Sequence, residues 1–369
     1  MSLIAKPLQN DEPRYMVQLD ALRALAVFGV LVHHFLPQEF FLNSKLHWGS
    51  LGVRLFFVLS GFLVTGILLR CRALIDLNNQ DKWFTIRRFY VRRFLRLMPV
   101  YYLAIFATKI IAFHSISTKT LLWHLTYTSN IYFSFHEWDA TTSHFWSLAV
   151  EAQFYLFWPL IIIFLPNRYL LTAIIFITVM APLFRTLLIA ANLSNGTREY
   201  ILTFTCFDSL GMGALLAFFS NQSQLNQARK YLCNFCFWIG IPLFIALNII
   251  YIPNIDDSIV VVLGYTTASM FFVWLIDRAA RGFSGLGGVL LEWQPLVFLG
   301  KISYGIYVYH LLVAYVLDHV FTYLGLPWLN SVWIKFILKT VVTLIVAALS
   351  WQFFEKPINS LKRNFIHKK

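Results

Sequence analysis

Apolar residues in this chain run in long blocks of about 17–25 residues, the length a helix needs to cross a bilayer. Such blocks fall near 15–36, 49–69, 97–113, 145–165, 169–191, 200–219, 235–251, 258–276, 298–321 and 332–354. They predict about ten transmembrane helices and an all-α polytopic membrane protein. A shorter apolar run, LLWHLTYTSNIYF (121–133), reads as an interfacial or re-entrant segment. No repeat of fixed period stands out and no soluble domain is expected at either end. Residues 1–369 therefore read as one integral membrane domain, with 1–14 a polar N-terminal tail and 355–369 a basic C-terminal tail.

The cations between the blocks give an orientation. One face of the predicted topology collects Lys6, Arg14, the cluster from Arg70 to Arg96, Arg168, Arg229, Lys230, Arg278, Arg281 and the C-terminal cations. That makes twenty, against Lys45, Lys119 and Arg198 on the other face. Both termini are thus expected in the cytoplasm of a cell whose inner membrane holds the protein, with an even number of spans. Composition agrees. The 369 residues are 59% hydrophobic and 13% charged, about half the charge of a soluble domain. The net charge of +13 would suggest nucleic acid in a soluble protein, but here it lies along one membrane face, so no nucleic-acid partner is expected. The N-terminal tail shows no small-residue cleavage site and is not read as a signal peptide. Of four cysteines, Cys233 and Cys236 form a lone CxxC without a second pair, so neither a disulfide framework nor a metal site is expected.

Polar groups inside the apolar blocks are where chemistry is sought, because an ionisable side chain in a membrane helix is costly. In YMVQLDALRALAVFGVLVHH (15–34), Arg23 and His34 are eleven residues apart. At about 100° per residue they share a helical face, roughly 16 Å apart along the axis, whereas His33 points about 80° away. The pair suggests a polar pore with a reactive centre, or else a snorkelling Arg and a His satisfied by a carbonyl. Arg54, in LGVRLFFVLSGFLVTG (51–66), either snorkels or faces an anionic ligand. In that stretch Gly52, Gly61 and Gly66 would permit close helix approach, and Ser60 and Thr65 would hydrogen-bond across helices. Arg93 and Arg96, within WFTIRRFYVRRFLRLMPVYY (83–102), are one turn apart and could grip one group of phosphates. A juxtamembrane anchor on anionic lipid is the alternative. No P-loop or GxGxxG pattern is present. Ser147 and Glu151 share a helix face at i,i+4, and a carboxylate this deep needs a cation or a proton. Asp208 is a second intramembrane acid. His310, on one face with Tyr307, reads as pore-lining or as an interhelical hydrogen-bond donor.

Five stretches in this order, LDALRALAVFGVLVHHF (19–35), GVRLFFVLSGFLVTG (52–66), RRFLRLMPVYYLA (92–104), FWSLAVEAQFYLFWP (145–159) and ISYGIYVYH (302–310), resemble the acyltransferase 3 family of integral membrane acyltransferases. The resemblance covers most of the chain. It implies transfer of an acyl group, most often acetyl from acetyl-CoA, to a hydroxyl of a sugar in a polysaccharide, glycolipid or glycoside, without a metal. The family's Arg-x10-His falls on Arg23 and His34, its cofactor-associated Arg-x-x-Arg on Arg93 and Arg96, and its Ser…Glu helix start on Ser147 and Glu151. Ala21 stands where Gly is frequent, Arg54 where many members carry Asp, and Ala152 where a second Glu is common. The expected roles are His34 and Glu151 in catalysis, Arg23, Arg93 and Arg96 in holding acetyl-CoA, and Arg54, Ser147 and His310 lining the substrate path. A stand-alone member without an appended esterase-like domain is expected. A proton-coupled secondary transporter or lipid-linked sugar flippase, using Glu151, Asp208 and the histidines as a relay, is the rival reading. Acceptor identity and oligomeric state leave no trace in these residues.

Overall fold

The computed structural model describes residues 15–40, 43, 46–78, 80–113, 116–248 and 257–361. Outside the described residues lie 1–14, 362–369 and the end of the expected seventh span, with Lys6, Arg14, Lys45, Lys362, Arg363, Lys368 and Lys369 of the charge count.

The helices, in chain order, are α1 (Val17–Phe35), α2 (Trp48–Asn78), α3 (Lys82–Ile111), α4 (Thr118–Leu125), α5 (Ser129–Phe135), α6 (Phe145–Phe164), α7 (Asn167–Ala190), α8 (Thr197–Ile201) and α9 (Phe207–Ser220). They continue as α10 (Asn226–Phe235), α11 (Ile241–Asn248), α12 (Asp257–Arg281), α13 (Gly285–Leu291), α14 (Gln294–Lys301), α15 (Ser303–Leu324), α16 (Val332–Ser350) and α17 (Lys356–Ser360). No strand occurs among the described residues, and ten segments are long and apolar enough to span a membrane. The fold is all-α and polytopic, as the apolar blocks require. Several boundaries differ from expectation, such as the end of α2 at Asn78 rather than 69, and two of them have a local cause. The third span does not begin at 97: α3 starts at Lys82 and runs through the Arg-rich stretch without a break. Asp81 explains the start, since its carboxylate accepts from the backbone N–H groups of Trp83 and Phe84 and satisfies two orphan donors. The ninth span starts at Ser303 rather than 298, because Gln294–Lys301 forms the separate helix α14. Gly325, at φ +59°, ends α15 in the left-handed conformation glycine adopts without cost. The 121–133 run forms the short helices α4 and α5, neither long enough to span.

Contacts gather the described residues into two interleaved units. The first draws on Met1–Leu22, Arg54–Ile86 and Glu151–Val297. Within it α2 and α9 touch backbone to backbone: a Cβ at Gly61 would lie 2.0 Å from the Leu210 carbonyl oxygen, and one at Gly213 2.1 Å from that of Val58. Small residues are what permit such approach in lipid, where packing rather than water expulsion holds helices together. Gly66, expected to serve likewise, faces open space. Thr65 accepts from the indole of Trp158 on α6 at 2.7 Å, and Arg72 donates to the carbonyls of Ile162 and Leu165 at the C-terminal end of α6. There a guanidinium satisfies carbonyls that the helix itself cannot.

The second unit draws on Arg23–Val53, Arg87–Val150 and Phe298–Lys369. Here α1 meets the start of α2 at Gly52, where a Cβ would stand 2.4 Å from the Ala26 carbonyl oxygen. Tyr304 on α15 donates to the Leu97 carbonyl of α3, and Tyr101 and Tyr102 of α3 donate to the last carbonyls of α4. Asn43 is buried and its amide donates to the carbonyls of Val32, Leu36 and Pro37, closing the last turn of α1.

Candidate active site: three imidazoles on carbonyl anchors

That last turn of α1 carries His33 and His34, which the helical rotation sends in different directions. His33 packs on α2, so close to Gly49 that a Cβ there would fall 2.6 Å from its ring. His34 turns toward α15: its Nδ1 lies 3.2 Å from Nε2 of His310, with ring centroids 4.8 Å apart. His310 in turn rests against His144, just before α6, at 4.6 Å and 67° between planes. The second unit thus brings together two residues singled out from the sequence, His34 and His310, and one that was not, His144.

Backbone carbonyls decide which nitrogens carry protons, because a carbonyl oxygen only accepts. Nδ1 of His34 is 3.0 Å from the Val30 carbonyl, Nδ1 of His310 2.6 Å from that of Tyr307, and Nε2 of His144 3.3 Å from that of Val308. Each of those nitrogens is therefore an N–H. In a neutral ring the other nitrogen is a bare lone pair. Nε2 of His310 is such a lone pair, and it shares the Nδ1–H of His34 with the Val30 carbonyl. Nε2 of His34 is left as an unprotonated nitrogen. His34 is also the one residue of the three with exposed surface, whereas His310 is 0% and His144 3% exposed. The neutral His34 ring leaves a lone pair at Nε2.

Ser147 and Tyr307 brace this cluster. Their hydroxyl oxygens are 2.5 Å apart and both reach the His144 carbonyl, at 3.1 and 2.9 Å. Two hydroxyl protons serve three contacts, a closed triangle that ties α15 to the start of α6. Ser147 is thus a buried structural hydroxyl in this arrangement. Close by in sequence, His124 on α4 and the 139–143 loop form a second polar chain. His124 Nε2 is 2.8 Å from the Thr142 hydroxyl, which donates to Asp139. Asp139 also accepts from the backbone N–H groups of Thr141, Thr142 and Ser143. Burial pushes the His124 imidazole down to about 3, so it stays neutral. Burial also raises the Asp139 carboxyl, against the opposing pull of those four donors.

Of the expected donor-site residues, Arg23 is half-buried on α1, eleven residues before His34. On α3, Arg93 is half-buried with its guanidinium 5.6 Å from the Phe89 ring centroid, and Arg96 is exposed. Arg96 acts electrostatically on Glu355, a buried acid near the end of α16 that the sequence reading passed over. Lys339 of α16, also buried, pairs with Asp318 of α15 at 2.8 Å. Lys339 interrupts the 332–354 block and Glu355 lies at its very end, which is the signal that could have marked them, but nothing in the sequence joins them.

The first unit holds the remaining candidates. Glu151 accepts from Ser60 at 2.6 Å, and Tyr155 donates to the same Ser60 hydroxyl at 2.8 Å. Arg54 does not snorkel. It is 0% exposed, 3.8 Å from Asp208, hydrogen-bonded to the Tyr200 carbonyl and 4.3 Å from the Tyr265 ring centroid. Asp208, equally buried, also pairs with buried Arg185 and accepts from Thr266 at 2.8 Å. Glu199 is fully buried with both carboxylate oxygens lacking a hydrogen-bond partner, so it takes no direct part in that pairing. Cys206, Cys233 and Cys236 are buried free thiols. A cavity of about 340 Å³ in this unit is lined by Arg229, Asp277 and Arg281 among others, and Asp277 already engages both guanidiniums. Among the described residues no group of three or more His, Cys, Asp or Glu side chains is placed to hold a metal ion.

An acyltransferase domain model, acyltransferase 3, matches residues 16–352. Similar proteins include YrhL of Bacillus subtilis, provisionally assigned as a peptidoglycan O-acetyltransferase, which is 32% identical over 98% of this chain and 58% of its own length. The peptidoglycan O-acetyltransferase OatA of Listeria monocytogenes is 31% identical over 96% of this chain and 57% of its own. The O-acetyltransferase OatA of Staphylococcus aureus (strain NCTC 8325) is 29% identical over 94% and 57%. The chain therefore spans somewhat over half the length of these relatives. No solved structure matches it. Ten apolar helices, the five sequence stretches in order and a family match across nearly the whole chain lead to one assignment: this protein belongs to the acyltransferase 3 family.

Proposed function

We propose that this protein is a multi-pass inner-membrane O-acetyltransferase that moves acetyl from acetyl-CoA to a sugar hydroxyl of a cell-wall polysaccharide. The observation that carries the reading is His34, the one exposed residue of the three histidines, whose Nδ1 is committed to a carbonyl and whose Nε2 is a lone pair in the neutral ring. A base in that state can take the proton of an incoming hydroxyl as its oxygen attacks the thioester carbonyl. The C–S bond then breaks, and the proton on Nε2 passes to the departing thiolate, so the histidine ends as it began. Transient acetylation of the same nitrogen is the variant pathway, and it uses the same lone pair.

Acetyl-CoA carries phosphates that suit the fork geometry of Arg93 and Arg96, one turn apart on α3. The count of basic residues supports placing that end of α3 and both termini in the cytoplasm, with His34 toward the opposite side. Donor and acceptor would then enter from opposite faces. Arg23 lies on the intervening face of α1. Glu151, the acid expected to orient or balance a pore-lining cation, accepts a hydrogen bond from Ser60. The relatives' names point to peptidoglycan as the first acceptor to try.

Membranes containing wild-type protein, His34→Ala or His33→Gln, given acetyl-labelled acetyl-CoA on the cytoplasmic side, test this directly. Label should enter the polysaccharide or lipid-linked sugar fraction with the wild type and with His33→Gln, and vanish with His34→Ala. Equal labelling by wild type and His34→Ala would refute the assignment of the base. No labelling by the wild type with peptidoglycan present would refute the donor–acceptor pair.

A further inference from the structure

We propose that His310 is the positioning residue of His34: it accepts the Nδ1–H of His34 on its own Nε2, while its Nδ1–H is tied to the Tyr307 carbonyl. The proposal rests on the reading of His34 as the group that takes the acceptor's proton, and it concerns where the resulting charge goes.

Three features carry it. The first is the direction of the chain of donors. Tyr307 can only accept through its carbonyl, so His310 must donate from Nδ1 at 2.6 Å and must offer a lone pair at Nε2. That lone pair faces His34 Nδ1 at 3.2 Å. Every proton is placed once a single carbonyl is fixed. Next comes burial: His310 is 0% exposed, so its lone pair meets His34 rather than water. The last is bracing. His310 is held from behind by His144, whose own Nε2–H is spent on the Val308 carbonyl. The Ser147–Tyr307 triangle locks His144 and Tyr307 together.

In the reaction this arrangement acts as follows. The acceptor hydroxyl gives its proton to His34 Nε2, making an imidazolium. Its Nδ1–H bond to His310 then becomes charge-assisted, and such bonds are worth considerably more than neutral ones. At the limit the Nδ1 proton crosses to His310 Nε2. His34 is then neutral with its proton on Nε2, and the positive charge rests on His310, whose Nδ1–H points at the Tyr307 carbonyl. Return of the proton to the thiolate reverses the shift. No group is oxidised or consumed. The Val30 carbonyl alone would fix the His34 tautomer, since it lies one turn back on the same helix. His310 adds a second, buried acceptor for that N–H, so the charge that develops on His34 meets two partners.

The test uses variants that separate the two nitrogens of His310. A glutamine amide reaches the place of Nε2 and can accept from His34 through its oxygen. An asparagine amide reaches only the place of Nδ1 and can donate to Tyr307 but not accept from His34. In full-length protein in native membranes, with labelled acetyl-CoA and peptidoglycan, His310→Asn should lower kcat about 10- to 100-fold with KM for acetyl-CoA changed less than about threefold. His310→Gln should recover most of that loss. Detergent-phase unfolding temperatures for both variants check that each folds. Wild-type kcat in folded His310→Asn, or equal losses in the Asn and Gln variants, would overturn the role of His310 as acceptor of the His34 Nδ1–H while leaving His34 in place. Full activity of His34→Gln, or no labelling by the wild type, would overturn both readings.

Discussion

Asp208 offers the most demanding test of how this protein tolerates charge in an apolar interior. Arg54, Arg185 and Asp208 are each 0% exposed, and the three together carry a net charge of +1. Asp208→Asn keeps the shape and one acceptor oxygen but removes the carboxylate that pairs with both guanidiniums, leaving these three side chains at net +2. Removing one partner of a buried ion pair costs about 3–5 kcal/mol. For a chain of this size that loss corresponds to a fall in unfolding temperature of about 4–6 °C. Arg54→Gln acts in the opposite electrical sense. Its guanidinium is the more distant partner, at 3.8 Å, and its removal leaves Arg185 and Asp208 as a matched pair with net charge zero. Arg54→Gln should therefore cost less than Asp208→Asn, about 1–2 kcal/mol from the lost ring and Tyr200 contacts. Placed on top of Asp208→Asn, it should restore stability rather than reduce it further. Intrinsic-fluorescence melting of the four purified proteins in one detergent reads this as a double-mutant cycle. An Asp208→Asn protein melting within about 2 °C of wild type, or a double variant less stable than Asp208→Asn alone, would refute the view that Asp208 neutralises these cations.

Two further outcomes are expected. Arg93→Gln/Arg96→Gln should raise KM for acetyl-CoA about 10- to 100-fold with kcat nearly kept, since ground-state phosphate contacts are lost equally from the transition state; a fall in kcat alone would place these arginines elsewhere. Acid should weaken the region around α4 through His124, whose imidazole is held at about 3 against an ordinary 6.5. A lowered value means its contribution is intact above pH 6.5 and is lost as pH falls toward 3, at about 1.4 kcal/mol per pH unit, or about 2 kcal/mol by pH 5. Asp139, raised by burial, works in the other direction: its contribution is complete below its ordinary 3.8 and is lost as pH rises through its folded value. His124→Gln should flatten the loss of melting temperature between pH 7.5 and 5, and an unchanged slope would exclude His124 as its source.

The sequence by itself determined the all-α membrane architecture, because a bilayer forces every spanning segment to announce itself as a long apolar helix. It also separated the direction of His34 from that of His33, since helical rotation is fixed locally, and it offered Arg23, Arg93, Arg96 and Glu151 as candidates whose roles are proposals. Its boundary errors were local. The Asp81 cap that starts α3 early is one residue of a polar linker, and the break that separates α14 from α15 is one residue long. What only the tertiary structure decided was pairing. His34 and His310 are separated by 276 residues, and His144 and Val308 by 164. Arg54 looked like a snorkelling cation because Asp208 and Arg185 reach it only through the packing of α2, α7 and α9. Tautomers are decided later still. Which nitrogen of His34 bears the proton depends on a carbonyl and on a neighbouring lone pair, and that lone pair exists only because His310 is anchored to Tyr307. Periodicity reports which face of a helix is polar, whereas the partner on that face is set by long-range contact, and proton placement follows from the partner.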